Sequence, residues 1–144
     1  MKVFVSLPHH GLSEEEIITN QKAAMDILEK DRVSNPENFP EGEPLELLDT
    51  IHNTNVPSNP SRLWHLGEAI KKLDEADIVY FYDNWYKAKG CWVEFIAAHL
   101  YNKEVVYDYP SNRAFRAIEN VLDIISSLFE MPEPRKEDDD ESSK

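Results

Sequence analysis

Cysteine, basic charge and long apolar runs are all scarce in this chain. Cys91 is the only cysteine among 144 residues, which excludes a disulfide framework and a cysteine-built metal cluster. Lysine and arginine number 15 against 28 acidic residues, for a net charge of −13. Such a surface is a poor match for a nucleic-acid polymer, although a small anion can still bind in a local positive pocket. No apolar run reaches the length of a membrane span. The apolar stretch in Met1–Pro8 is too short for the core of a signal peptide. A cytoplasmic location without a membrane partner is therefore expected. There is no internal repeat. What remains is a length that suits one domain with a real core.

Strand-like and helix-like segments alternate along that length. Lys2–Ser6 is β-branched and alternating, and reads as a first strand. Ser13 and Glu16 have the spacing of a capping box, opening a helix to about Lys30 with Ile17, Ala24, Ile27 and Leu28 on its apolar stripe. A second strand is expected within Leu45–His52. Ser61 reads as the N-cap of a helix over Arg62–Glu75 that buries Leu63, Leu66, Ile70 and Leu73. Asp77–Tyr82 is the strongest strand. Its continuous apolar run predicts a central, buried position with Lys2–Ser6 parallel beside it. A helix over Gly90–Asn102, a strand over Glu104–Tyr109 and an amphipathic helix over Asn112–Phe129 follow. The alternation predicts an α/β domain over residues 1–130, with a parallel sheet covered on both faces. Met131–Lys144 holds six acidic and three basic residues and too little apolar surface to offset ordering, so a disordered acidic tail is expected.

The chemistry concentrates after the strongest strand. Residues 84–94 read N-W-Y-K-A-K-G-C-W-V-E, a polar loop running into an apolar helix with one carboxylate, Glu94. On a helix Glu94 shares a face with Gly90, Ala97, Ala98 and Tyr101. A carboxylate there is either a structural group satisfied by an arginine, a tyrosine or backbone amides, or a site residue in the crevice beyond the strand ends, where open α/β sheets bind ligands. The second case places it in a concave pocket with the loop after Lys2–Ser6. Ser6 ends the first strand, His9 and His10 lie in the loop after it and Asp83 lies at the end of the third, so all four are candidate pocket groups. Lys87 and Lys89, beside a helix N-terminus, are either solvated or a clamp for a phosphate. Gly90 permits close backbone approach. Adjacent histidines diverge and no further ligand set joins them, so no metal is expected. Trp85 and Trp92 either stack on a base or pack the core. Trp64 and Tyr101 read as core.

Four pieces taken together resemble the nucleoside 2-deoxyribosyltransferase-like superfamily, nearest to a small bacterial and phage branch. They are V-F-V-S-L-P-H-H-G at 3–11, L-W-H-L-G-E-A-I at 63–70, A-D-I-V-Y-F at 76–81 and the stretch at 84–94. The resemblance implies a flavodoxin-like, three-layer fold with a five-stranded parallel sheet. It implies a ligand site above the first and third strands, and Glu94 as the nucleophile that captures the anomeric carbon of a nucleoside. Glu68 is the nearest match for a second carboxylate. Phe4 stands where relatives carry a tyrosine that orients the nucleophile. No cofactor is implied, the partner is a small nucleoside or nucleotide, and a homo-oligomer is expected. Two other readings stay open on the residues: a module that binds a nucleotide without turnover, and an accessory factor that uses its acidic surface to contact proteins.

Overall fold

The computed structural model describes residues 1–39, 43–108 and 112–130, with side chains in the last stretch from 114 onward. Its elements are β1 (Lys2–Ser6), α1 (Glu14–Ser34), β2 (Glu46–Leu47), α2 (Arg62–Asp74), β3 (Ile78–Phe81), α3 (Lys89–Leu100), β4 (Glu104–Tyr107) and α4 (Asn112–Glu130). The strands pair in the order β2-β1-β3-β4, every pair parallel. This is an α/β fold.

Side-chain alternation divides the core between the two faces of the sheet. Val3 and Val5 of β1, with Ile78 and Tyr80 of β3, pack against Ile17, Ala24 and Leu28 of α1. Phe4, Val79 and Phe81 point the other way, to Leu73 of α2, Phe95 and Ala98 of α3, and Ile118 and Ile125 of α4. All four residues of β3 are buried, as expected of a central parallel strand. Asp77 ties the starts of β1 and β3 together, its Oδ2 accepting from the Lys2 N–H at 2.7 Å.

The helices begin where the sequence signals them. Ser13 Oγ accepts from the Glu16 N–H, and Glu16 Oε1 accepts from the Ser13 N–H, both at 3.2 Å. Ser61 Oγ accepts from the Trp64 N–H at 3.0 Å. The end of α2 has a device the sequence hid. Lys103 Nζ donates to the carbonyls of Asp74 and Ala76 at 2.8 and 3.1 Å, placing a cation where the helix dipole is negative.

Several expectations need correction. The sheet has four strands among the described residues, not five. Among the described residues α4 is the last element, and no strand follows it. Of Leu45–His52 only Glu46–Leu47 pairs. Asp49 Oδ1 accepts from the N–H groups of Ile51 and His52 at 2.9 and 3.1 Å, and this turn leaves the sheet. α1 continues four residues past Lys30. Ile27 and Leu63, assigned to buried stripes, are 46% and 75% exposed. Tyr101, assigned to the core, is 77% exposed; it caps α3 instead of packing within it. The expected tail, Met131–Lys144, and Tyr109 of the expected fourth strand lie outside the described residues.

Candidate functional site

β1 and β3 are neighbours, and both the strand that precedes α1 and the strand that precedes α3 end at the same edge of the sheet. Because residues alternate along β1, Phe4 and Ser6 share the face turned to α3. Phe4 is spent on the core. Ser6, one pleat further on, reaches Glu94: its Oγ donates to Glu94 Oε1 at 2.8 Å, across a sequence separation of 88. α3 turns Cys91, Glu94, Phe95 and Ala98 inward, a helical spacing that packs Glu94 among apolar neighbours. The result is a buried cluster of Ser6, Cys91 and Glu94.

Burial dominates the electrostatics there. Glu94 is 7% exposed, and desolvation raises its pKa to about 7, with the Ser6 hydrogen bond pulling the other way. The Cys91 thiol is pushed up to about 12, chiefly by burial. It is therefore a neutral thiol at physiological pH and not a nucleophile.

The two oxygens of Glu94 differ. Oε1 holds the Ser6 bond, whereas Oε2 has no hydrogen bond among the described residues. The fully buried side-chain polar atoms that lack a partner there are Trp85 Nε1 and His99 Nε2. Glu94 thus has one oxygen fixed and one without a hydrogen-bond partner among the described residues.

The other candidate residues are spread around the same edge. His9 and His10 are exposed on the loop leaving β1, where Gly11 takes a φ of +80°. Although solvent reaches its ring, the protein mass around His9 lowers its pKa through desolvation. Asp83 is exposed after β3, and its N–H is held by Asp108 Oδ2 at 2.9 Å. Asp108 Oδ1 also accepts from the Tyr80 hydroxyl at 2.7 Å. Burial and then this carboxylate raise the Tyr80 pKa. Asp108 was not singled out from the sequence. Its signal was an acid directly after the last apolar residues of a strand.

Lys87 and Lys89 are exposed on the 3-10 turn and first turn that lead into Glu94. Ala88 supplies no side-chain cap to α3, so the first amides of the helix lack that acceptor. Glu68 is partly buried on α2, with Lys71 Nζ 2.8 Å from its Oε2; its partner is that lysine. A Cβ added at Gly90 would meet only Leu66 Cδ1, at 3.8 Å, so packing within the chain does not require glycine. Trp85 is fully buried and stacks on Phe95 with ring centroids 4.8 Å apart, so it is core and not a platform for a base. Trp92 is half-buried and donates through Nε1 to the Tyr86 carbonyl at 2.8 Å.

No three His, Cys, Asp or Glu side chains among the described residues form a metal-holding group. Two shallow depressions, of about 300 and 550 Å³, run along α1, lined by residues such as Glu16 and Asn20 in one and Glu29 and Val33 in the other. Neither contains Glu94.

The loop after β2 is fastened to α1 at this edge. Gln21, buried, donates through Nε2 to Thr50 Oγ1 at 3.0 Å. His52 bridges Asp49 Oδ2 through Nδ1 at 2.9 Å and Glu14 Oε1 through Nε2 at 3.0 Å. A neutral imidazole has one N–H, so donating to both carboxylates requires the protonated ring. The Asp49 and then the Glu14 hydrogen bonds raise the His52 pKa above 6.5. The contribution is therefore full below the unfolded pKa and is lost as pH rises through the folded one. Comparing melting temperatures of wild type and His52→Gln should show wild type ahead at about pH 5.5 and no difference at about pH 9. A gap unchanged between the two would mean that charge plays no part in the bridge.

Compared with protein-family models, curated proteins and solved structures, the chain has no match. Fold and site define it as a parallel α/β protein with a buried, half-anchored carboxylate at the carboxyl edge of its sheet. No helix among the described residues is long and apolar enough to cross a membrane.

Proposed function

We propose that the chain is a small flavodoxin-like, three-layer enzyme acting on the N-glycosidic bond of a nucleoside, a deoxynucleoside or its monophosphate, with Glu94 as nucleophile. The observation that carries this reading is Glu94 itself. It is a buried carboxylate with a pKa near neutrality, one oxygen anchored by Ser6 and the other without a hydrogen-bond partner among the described residues, and a strongly perturbed group at the ligand edge of a sheet is a functional-site candidate. Two further facts support it. The order β2-β1-β3-β4 matches the first four positions of the flavodoxin order, in which ligands bind where the connections reverse, between β1 and β3. Ser6 ends one of those strands and Glu94 follows the other.

In this mechanism an oxygen of ionised Glu94 attacks the anomeric carbon as the bond to the base breaks. The base leaves with the bonding electrons and takes a proton from water or a neighbouring acid. The resulting glycosyl ester of Glu94 is then opened by water or by a second base, which restores the carboxylate. No metal or organic cofactor takes part. Lys87, Lys89 and the uncapped amides of α3 favour a 5′-phosphate on the substrate. His9, His10 and Asp83 stand on the loops that would border it. A second copy is part of this reading: α3 is apolar on nearly every side, yet exposes Val93 and Tyr101, surface that a neighbour would cover.

One observation favours a second reading. Glu94 is enclosed and the two depressions lie elsewhere, which suits a module that binds a nucleotide without turning it over.

Chromatography separates the two. The protein is incubated with deoxynucleosides and with their monophosphates, with and without a free acceptor base. Release or exchange of base, faster with monophosphates and abolished by Glu94→Gln, is the expected result. Retention of a nucleotide without turnover would support the second reading. Full activity in Glu94→Gln would remove Glu94 from the mechanism.

A further inference from the structure

We propose, building on the reading of Glu94 as the reactive group, that Ser6 is the positioning residue of this site: its hydroxyl anchors Oε1 of Glu94 and leaves Oε2 as the oxygen that meets the ligand. The argument starts from β1. A strand that alternates sends residues 4 and 6 to the same face, and the residue at 4 is a phenylalanine with no hydroxyl to offer. The first position on that face able to donate is Ser6, which is 1% exposed. It sits at the last residue of the strand, where the register β1–β3 places it opposite Phe81.

A serine hydroxyl has a single hydrogen, and here it is directed at one carboxylate oxygen at 2.8 Å. The carboxylate can no longer turn freely, so its second oxygen is presented in one direction. That second oxygen has no hydrogen-bond partner among the described residues. Buried serine is also an unlikely filler for an apolar position unless its hydroxyl is used.

Among the described residues, Ser6 is the hydrogen-bond donor to Glu94. Cys91, one turn back on α3, also shares a side-chain hydrogen bond with Ser6 and feels the charge of Glu94; it is a neutral thiol. Lys87 and Lys89, on the approach to α3, are exposed to solvent. Phe95 and Ala98, the neighbouring inward residues of α3, carry no donor. From β1, the group facing Glu94 is Ser6.

The test follows the ionisation of Glu94 directly. Carbon-13 NMR of glutamate side-chain carboxyls, with the Glu94 signal assigned by its loss in Glu94→Gln, reads the pKa in wild type, Ser6→Ala and Ser6→Thr. A hydrogen bond to a charged group is worth enough that its loss should move the pKa upward by about one unit or more. At neutral pH that lowers the ionised fraction several-fold, and the pH profile of base release should move by the same amount. Ser6→Thr, which keeps the hydroxyl, should restore the wild-type pKa. An unmoved Glu94 pKa in folded Ser6→Ala would overturn the proposal, and so would a shift that Ser6→Thr leaves uncorrected in a folded protein. A pKa that moves as expected in a protein with no turnover would sustain the role of Ser6 and reject the glycosidic reaction, so the two ideas fail separately.

Discussion

Glu94→Gln is expected to make the protein more stable at pH 8, by roughly 3 kcal/mol, and to leave it no more stable at about pH 4.5. The sign follows from the direction of the shift. The folded pKa is about 7 against an ordinary 4.5, so the folded state holds the proton more tightly than the unfolded chain. The cost of burying the charged form is fully present above pH 7, shrinks as pH falls between 7 and 4.5, and is gone below. At about 1.36 kcal/mol per unit, the gap gives the figure stated. Glutamine keeps the shape of the side chain and can keep the Ser6 bond through its carbonyl. Urea unfolding of both proteins across this range is the measurement. A variant less stable than wild type at pH 8 would mean that the carboxylate is a structural group, satisfied in its charged form. The expected trade, stability for reactivity, is one that natural active sites make.

Trp85→Ala is expected to cost about 3–5 kcal/mol, enough to unfold a marginal domain. Trp85 is fully buried and joins the 3-10 turn before α3 to the sheet and helix. Its ring centroid lies 5.1 Å from Phe81, 4.9 Å from Trp92 and 4.8 Å from Phe95. Truncation would leave a cavity among aromatic groups that cannot collapse independently. Trp85→Phe should cost far less, because the indole N–H it removes is buried without a partner, and such a group is itself unfavourable. Thermal and urea unfolding check both variants. Equal losses for alanine and phenylalanine would show that the indole N–H is satisfied and matters.

The parts of the fold that could be read from the sequence are those where one local rule decides. β1 and β3 follow from their apolar runs, and the starts of α1 and α2 follow from Ser13, Glu16 and Ser61. The end of β2 did not follow, because L-E-L-L reads as strand while the backbone turns away on the side chain of Asp49, a competition between two local preferences. Tyr101 lies on the face of Glu94 by helical spacing, but α3 has reached the far end of its packing partners by then. The site was half legible. Ser6 and Glu94 were each marked by position, but their contact depends on the register between β1 and β3 and on the rotation of α3, neither of which is local. The roles of Asp108 and His52 were hidden for the same reason: each is defined by a partner from another element.

The outer strands have a bearing on how molecules of this protein meet. β2 offers two residues and β4 four, and each opens on an exposed glutamate, Glu46 and Glu104. Among the described residues these two strands bound the sheet, where unpaired backbone groups could otherwise recruit a strand from another molecule. Shortness and negative charge guard both margins at neutral pH. Near the isoelectric point of about 4.7 the molecule as a whole carries no net charge, under the same acidification that relieves Glu94. Inside the molecule a low pH tightens the fold; between molecules it removes the net repulsion that helps keep one sheet from continuing into the next.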